Sequence, residues 1–284
     1  MHTRIFTLII LAVMAVGAVA QQRAALNLHT EDMPDARRYL PYQPDSASAA
    51  FAYDVSQYYW GKDNRKGTRG VQARSDAAYG IDVVARLFSS AFGQTVSPAT
   101  TPCIFAMLDA GLTAAAKGVT QAKNANKRRR PFVVFGDPVY STENMTVLAA
   151  DYSYPSGHAL RGWAMALLLA EVNPDAQEAL LKRGYEYGQS RIIVGAHWQS
   201  DVDAGRLIAA ACVARLHADP DFRELMRQAK EEFLATQHHI FTEQPNLTID
   251  RTSADDALYT IDGRPATSDS HGVLVGRGKK VIVP

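Results

Sequence analysis

Apolar residues between positions 47 and 237 recur every three or four residues, which is the spacing of amphipathic α-helices. In the first such segment Phe51, Val55 and Tyr58 lie on one predicted face. No segment of this range alternates as a β-strand does, so we expect an all-α core. The predicted helices cover residues 47–59, 71–92, 101–129, 158–172, 176–193, 198–217 and 221–237.

Two segments lack this helical pattern. Residues 132–152 have no sustained period and contain Gly136, Asp137 and Pro138, which predicts a long functional loop. Residues 240–284 carry short β-branched runs separated by Asp-Gly and Gly-Arg-Gly turns, which predict a small β-like tail. The four runs are residues 248–250, 258–263, 272–275 and 280–283.

The N-terminus has the pattern of an export signal. Residues 5–16 are apolar and Ala18-Val19-Ala20 is a small-x-small cleavage site, so we predict cleavage after Ala20 and a periplasmic or secreted protein. Apolar runs after residue 20 look too short for a span of about 20 residues, so no stable membrane insertion is expected. We predict a signal peptide (1–20), an extended arm (21–46), a helical domain (47–239) and a tail (240–284) that is either small and β-like or poorly ordered.

The composition limits the classes of partner and ligand that we expect. Lys and Arg number 30 against 29 Asp and Glu, a net charge of +1, without the basic excess typical of nucleic-acid-binding proteins. Cys103 and Cys212 belong to no Cys/His metal pattern, so no metal site is predicted. In an oxidising compartment they can form one disulfide; the alternative is two unpaired buried thiols.

Three short segments carry candidate chemistry. Lys123 and Arg130 are seven residues apart, so on a helix they share a face and can bind a phosphate dianion. The simpler interpretation, a solvated basic helix end, is assigned to residues 127–129. In the second segment Ser156 is a good N-cap, Gly157 lets an anion approach backbone N–H groups, and His158 follows within reach of that anion.

The third segment contains Arg191, His197 and Asp201. A spacing of four lets Asp201 accept a hydrogen bond from one His197 nitrogen, which fixes the tautomer and leaves the other nitrogen free to attack. Arg191 would face elsewhere on a straight helix, but Gly195 predicts a break between the two. The commoner role of an isolated His-x3-Asp is a core histidine with a capping carboxylate.

Together the patterns Lys-x6-Arg-Pro, Pro-Ser-Gly-His and Ser-Arg-x5-His-x3-Asp, in this order, resemble the type 2 phosphatidic acid phosphatase superfamily, which includes vanadium haloperoxidases. Over residues 30–237 the chain most resembles its bacterial class A non-specific acid phosphatases. The resemblance implies a compact helical bundle that hydrolyses phosphate monoesters without a cofactor. It also implies a phosphohistidine on His197, oriented by Asp201, with His158 as general acid/base. The implied phosphate ligands are Lys123, Arg130, Ser156, Gly157 and Arg191.

Several alternatives stay open at this point. The same anion site serves lipid phosphatases and vanadate-dependent haloperoxidases, and a non-catalytic phosphate-binding surface protein is a fourth possibility. The preferred ester, phosphotransferase activity and homo-oligomer formation are not determined by the sequence. Tyr152, Tyr154 and Trp198 are candidates for the wall of a leaving-group pocket, or for ordinary packing.

Overall fold

The computed structural model describes residues 26–242, followed by residues 258–260, 265–267, 272–276 and 279–283; side chains are described only to residue 237 within the first range. The predicted signal peptide, residues 1–20, lies outside the described residues. The chain divides into two compact units, Met1–Gln237 and His238–Pro284.

The described part of the first unit is helical, which confirms the all-α prediction. Short 3-10 turns at Thr30–Asp32, Ala36–Arg38 and Pro174–Ala176 accompany the α-helices. The helices are α1 (Ala49–Asp63), α2 (Gly67–Ser75), α3 (Ile81–Phe92), α4 (Pro102–Asn126), α5 (Pro131–Phe135), α6 (Met145–Ala150), α7 (Gly157–Val172), α8 (Gln177–Ile193), α9 (Gln199–His217) and α10 (Pro220–Thr242).

Helix α7 packs against α4, α8 and α9. Its apolar side chains, such as Leu160 and Leu168, are buried in the main core. Two backbone features bring the start of α9 against the start of α7. The Ser156 N–H donates to the Asp201 carbonyl at 2.9 Å, and a Cβ on Gly205 would lie 2.4 Å from the Ser156 carbonyl oxygen. The second and third motif segments therefore meet through their main chains.

The single helix predicted over residues 71–92 is wrong. Helix α2 ends at Ser75 and α3 begins at Ile81, after Gly80 as N-cap. The intervening loop is anchored by Asp76, whose buried carboxylate accepts hydrogen bonds from Arg183 and from the Ser190 hydroxyl. These tertiary contacts replace the missing helical hydrogen bonds. The alanines of the loop continue the apolar spacing of the helices, so the sequence pattern alone does not show the break.

The predicted loop over residues 132–152 also needs correction, because it contains most of α5 and all of α6.

The predicted N-terminal arm contributes Leu28, Met33 and Ala36 to the core. Cys103 and Cys212 are both buried and free, so of the two alternatives the structure has the unpaired thiols.

One stretch of the described residues, Pro102–Phe135, has the length and mean hydropathy (1.3) of a membrane span. The sequence prediction overlooked it because Asp109 and Lys117 interrupt the apolar run. Its apolar window is 61% buried inside the protein, as expected of a core helix. No cluster of three or more potential metal ligands occurs among the described residues.

The second unit contains the antiparallel strands β1 (Tyr259–Thr260), β2 (Gly272–Gly276) and β3 (Lys279–Val283), in the order β1-β2-β3. In the β2–β3 pair, Gly272 lies opposite Val283 and Gly276 lies opposite Lys279. The prediction of a small β-like tail is therefore confirmed at three of its four runs. The remaining run, residues 248–250, lies outside the described residues.

Candidate active site

A tight turn at the end of α8 places His197. Gly195 has left-handed backbone geometry, with φ 81°. The N–H groups of Ala196 and His197 both donate to the Arg191 carbonyl, at 3.0 and 3.3 Å. The chain thus turns back directly after α8, and the buried side chains of Arg191 and His197 enter one cluster despite their six-residue separation.

The hydrogen bonds of His197 define its tautomer. Its Nε2 lies 2.9 Å from Nη1 of Arg130, and its Nδ1 lies 3.2 Å from Oδ2 of Asp201. A guanidinium only donates, so Nε2 is the acceptor and the proton is on Nδ1, from which it is donated to Asp201. The imidazole is therefore neutral, with the Nε2 lone pair directed toward the cationic cluster.

Asp201 is itself fixed by several donors. Its Oδ2 accepts from the Trp198 N–H at 2.8 Å and from the Ser153 hydroxyl. Its Oδ1 accepts from Nη1 of Arg128 at 2.7 Å. Neither Ser153 nor Arg128 was among the predicted site residues. Together these donors hold the plane of the carboxylate that faces His197.

Arg128 was predicted to belong to a solvated basic helix end, and this is wrong. Its side chain is only 6% exposed and lies between the carboxylates of Asp54 and Asp201. Lys127 and Arg129, by contrast, are exposed as predicted. The difference arises because the chain leaves helical geometry after Asn126, which turns Arg128 inward.

Lys123 and Arg130 come together, but not by sharing a helix face as predicted. Helix α4 ends at Asn126 and Lys127 has a left-handed φ of 48°, so Arg130 lies beyond the helix as the N-cap of α5. Nζ of Lys123 and Nη2 of Arg130 both contact Oδ2 of Asp151, at 2.6 and 2.8 Å. This shared contact shows that the two cations can reach one small anion.

Arg191 supplies the third cation, and its side chain is fully buried. Its Nη2 donates to both carboxylate oxygens of Glu143, at 2.8 and 3.0 Å. Its Nε and Nη1 are buried and have no hydrogen-bond partner among the described residues. Buried donors of this kind are costly unless a ligand accepts from them, so Arg191 is suited to anion binding.

His158 is held by a backbone carbonyl rather than by a carboxylate. Its Nε2 lies 3.1 Å from the Ala77 carbonyl oxygen. Because a carbonyl only accepts, Nε2 carries a proton and Nδ1 is the nitrogen that exchanges one. The ring lies beside Tyr79 and Tyr187, with centroid distances of 4.8 and 6.1 Å. The loop that interrupts the predicted 71–92 helix therefore orients this imidazole.

Burial and neighbouring cations lower the pKa of both histidines well below the usual value. For His197 desolvation is the main cause, followed by repulsion from Arg130, Lys123 and Arg191. For His158 desolvation again comes first, then repulsion from Arg191, opposed by the Ala77 carbonyl. The two shifts have the same direction, so both imidazoles favour the neutral form in the free protein.

Ser156 and Gly157 lie where α7 begins. The Ser156 hydroxyl accepts from the Ala159 N–H at 3.2 Å, which confirms it as the N-cap. Gly157 lines a cavity of about 300 Å³ together with Lys123, Asp151 and Tyr79. A side chain at position 157 would project beside the Tyr79 hydroxyl, 3.6 Å from its Cβ, and fill part of that space.

Comparison with known proteins agrees with this arrangement. Residues 101–224, which contain every predicted site residue, match the PAP2 superfamily. A non-specific acid phosphatase from Providencia stuartii is 42% identical over 200 residues, covering 70% of this chain and 81% of that protein. The chain belongs to this acid phosphatase family of the PAP2 superfamily.

Two further relatives show how far the similarity extends. A non-specific acid phosphatase from Salmonella typhimurium is 39% identical over 203 residues, covering 71% of this chain and 81% of that protein. An acid phosphatase from Zymomonas mobilis is 36% identical over 194 residues, covering 68% of this chain and 74% of that protein. The similarity therefore covers about seven tenths of the chain.

In this acid phosphatase family member, two of the three aromatic candidates for the wall of a leaving-group pocket pack against the fold instead. Trp198 is buried and donates from its indole to the Arg129 carbonyl at 2.9 Å. Tyr154 is buried and donates to the Pro41 carbonyl at 2.8 Å. Both therefore serve packing. Tyr79, in the loop before α3, is the aromatic residue that lines the cavity.

Proposed function

We propose that the chain is an exported acid phosphatase that hydrolyses phosphate monoesters through a phosphohistidine on His197. The observation that carries this proposal is the environment of Nε2. This atom accepts a hydrogen bond from Arg130 at 2.9 Å, while Nδ1 is tied to Asp201 at 3.2 Å. A neutral, oriented imidazole beside cations is the form that attacks a phosphorus atom.

Lys123, Arg130 and Arg191 hold the nonbridging oxygens of the ester. In the protein itself, Asp151 and Glu143 accept hydrogen bonds from these three cations. A phosphate dianion presents the same kind of acceptor, and it also meets the buried Nε and Nη1 of Arg191. The hydroxyl of Ser156 and the N–H of Gly157 complete the proposed binding set, at the positive end of the α7 dipole.

The reaction proceeds in two steps. Nε2 of His197 forms a bond to phosphorus as the bond to the ester oxygen breaks, and Nδ1 of His158 gives its proton to the departing oxygen. The now neutral His158 then removes a proton from water, whose oxygen attacks the phosphoryl group and releases His197 and inorganic phosphate. The three cations stabilise the charge on the transferred group without metal assistance.

Export is supported by the N-terminal pattern of a short apolar run followed by Ala18-Val19-Ala20. The mature chain is then expected to begin at Gln21. N-terminal sequencing of the enzyme from the periplasm or the medium tests this directly. A chain that retains Met1 in an active cytoplasmic fraction would contradict export while leaving the chemistry intact.

The decisive experiment is a p-nitrophenyl phosphate assay at about pH 5 to 6 with chelator present. We expect His197→Ala to lose more than about a thousandfold in kcat, because a lost nucleophile removes the covalent route. His217→Ala is the matched control, since that histidine pairs with Glu171 on the surface of the fold. Wild-type activity in His197→Ala would remove the nucleophile assignment. Activity lost on chelation would refute the metal-free mechanism, and bromide oxidation on adding vanadate would favour a haloperoxidase.

A further inference from the structure

We propose that Arg128 and Asp54 are positioning residues for the nucleophile, acting on His197 through Asp201. The inference rests on the proposed function, because it assigns a role within the same reaction. Neither residue belongs to the motifs that identify the family in this sequence. The two residues connect α1 to the start of α9 through one continuous chain of hydrogen bonds.

Each link in this chain of hydrogen bonds is a short, direct contact. Arg128 donates from Nη1 to Oδ1 of Asp201 at 2.7 Å and from Nη2 to Oδ2 of Asp54 at 2.6 Å. Asp54 also accepts from the Ser200 N–H at 2.8 Å and from the Ser200 hydroxyl at 2.6 Å. The side chains of Arg128, Asp54 and Asp201 are 6%, 1% and 0% exposed, so water does not replace these contacts.

The arrangement fixes the direction in which Asp201 faces. Arg128 occupies Oδ1 of Asp201, which leaves Oδ2 for the His197 Nδ1–H. The guanidinium is held in turn by Asp54 and lies over the Trp198 ring at 5.2 Å. Without Arg128, Oδ1 loses its charged donor and the carboxylate can rotate. The His197 ring would then lose the partner that aims Nε2 at phosphorus.

The phosphate ligands lie outside this chain of contacts. Lys123, Arg130 and Arg191 make their ion pairs with Asp151 and Glu143, not with Asp54 or Asp201. Loss of Arg128 should therefore slow chemistry while leaving anion binding in place. A purely structural role would instead reduce the number of folded, phosphate-binding sites per chain, so kcat is expressed per site titrated with phosphate.

The test compares Arg128→Gln with Arg206→Gln, a change at another largely buried arginine, which pairs with Asp203 on α9. We expect Arg128→Gln to lower kcat by about 10- to 100-fold, with the Ki for inorganic phosphate within about threefold of wild type, a difference of well under 1 in log10 units. Arg206→Gln should keep the wild-type kcat. Wild-type kcat in Arg128→Gln would overturn the proposal.

Two further variants keep the outcome decisive. Asp54→Asn preserves side-chain shape, so it tests the proposal even if Arg128→Gln does not fold; an unchanged kcat in folded Asp54→Asn would overturn it. In an Asp201→Asn background, Arg128→Gln should cost little more, because both act through one carboxylate. Fully additive losses would contradict this. Failure of the proposed function is separate, since it would appear as activity in His197→Ala.

Discussion

The two histidines of the site are held by different kinds of group. His197 is tied to a carboxylate that is itself fixed by Ser153 and Arg128. The His158 imidazole hydrogen-bonds, within the described part of the chain, to the Ala77 carbonyl alone. In the proposed mechanism, the hydrogen-bonded carboxylate fixes the tautomer of a nucleophile whose Nε2 must stay unprotonated. An uncharged carbonyl orients a ring without holding its proton, which suits a group that must give a proton and take one back.

The largest expected effect that distinguishes His158 from His197 is the loss of rate when His158 is removed. We expect His158→Ala to slow hydrolysis of an alkyl phosphate by about 100- to 10,000-fold. Hydrolysis of p-nitrophenyl phosphate should fall far less, because p-nitrophenolate leaves without being protonated. The measurement is kcat/KM for the two esters in wild type and variant, with His217→Ala as control. Equal losses for both esters would show that His158 is not the acid.

The pH profile of kcat/KM sharpens the same comparison. The lowered pKa of His197 keeps the nucleophile neutral as the solution becomes acidic, so the acid limb moves to lower pH. The lowered pKa of His158 means that the acid loses its proton at lower pH as the solution becomes alkaline, so the other limb also moves down. A bound dianion opposes the repulsion from the cations and restores the protonated acid in the complex.

We therefore expect a bell-shaped profile with an acidic optimum. The measurement is kcat/KM for an alkyl phosphate between about pH 4 and pH 9. For the same alkyl phosphate, the residual activity of His158→Ala should lose the alkaline limb, since the titrating acid is gone. A wild-type rate that rises steadily to about pH 9 would contradict the assignment of His158.

The smallest expected effect concerns Ser153, whose hydroxyl supports only the nucleophile side. Ser153→Ala removes one donor to Oδ2 of Asp201 while the Trp198 N–H remains. We expect kcat to fall by about 2- to 12-fold, equivalent to about 0.5–1.5 kcal/mol, with an unchanged Ki for phosphate. Ser56→Ala, at an exposed position on α1, is the control. A large loss in phosphate affinity would show that Ser153 contacts the anion instead.

The residues of the third motif segment could be brought together from the sequence because their spacing has a local cause. Asp201 lies four residues after His197, in the first turn of α9, and Gly195 marks the break that brings Arg191 to the site. The helical class follows from apolar periodicity, which reports the buried face of each helix directly. Features set by neighbours along the chain were therefore predictable.

Other parts of the site depend on contacts that no local pattern reveals. Asp54 and Asp201 are far apart in sequence, and Arg128 joins their carboxylates. The carbonyl of Ala77 has no side-chain signal at all, and its loop was hidden within the apolar spacing of a predicted helix. Arg128 was misassigned because basic residues flank it. Its side chain points inward while theirs point outward because the helix ends at Asn126.

The turn at Gly195 has a consequence for engineering the substrate range. Its φ of 81° strains any residue with a side chain, and a Cβ there would also lie 3.0 Å from Nη2 of Arg65. A library directed at specificity should hold this position constant. The cavity residues Thr120 and Asn124 are the places to vary, because in the proposed function they line the space for the ester without taking part in the reacting cluster.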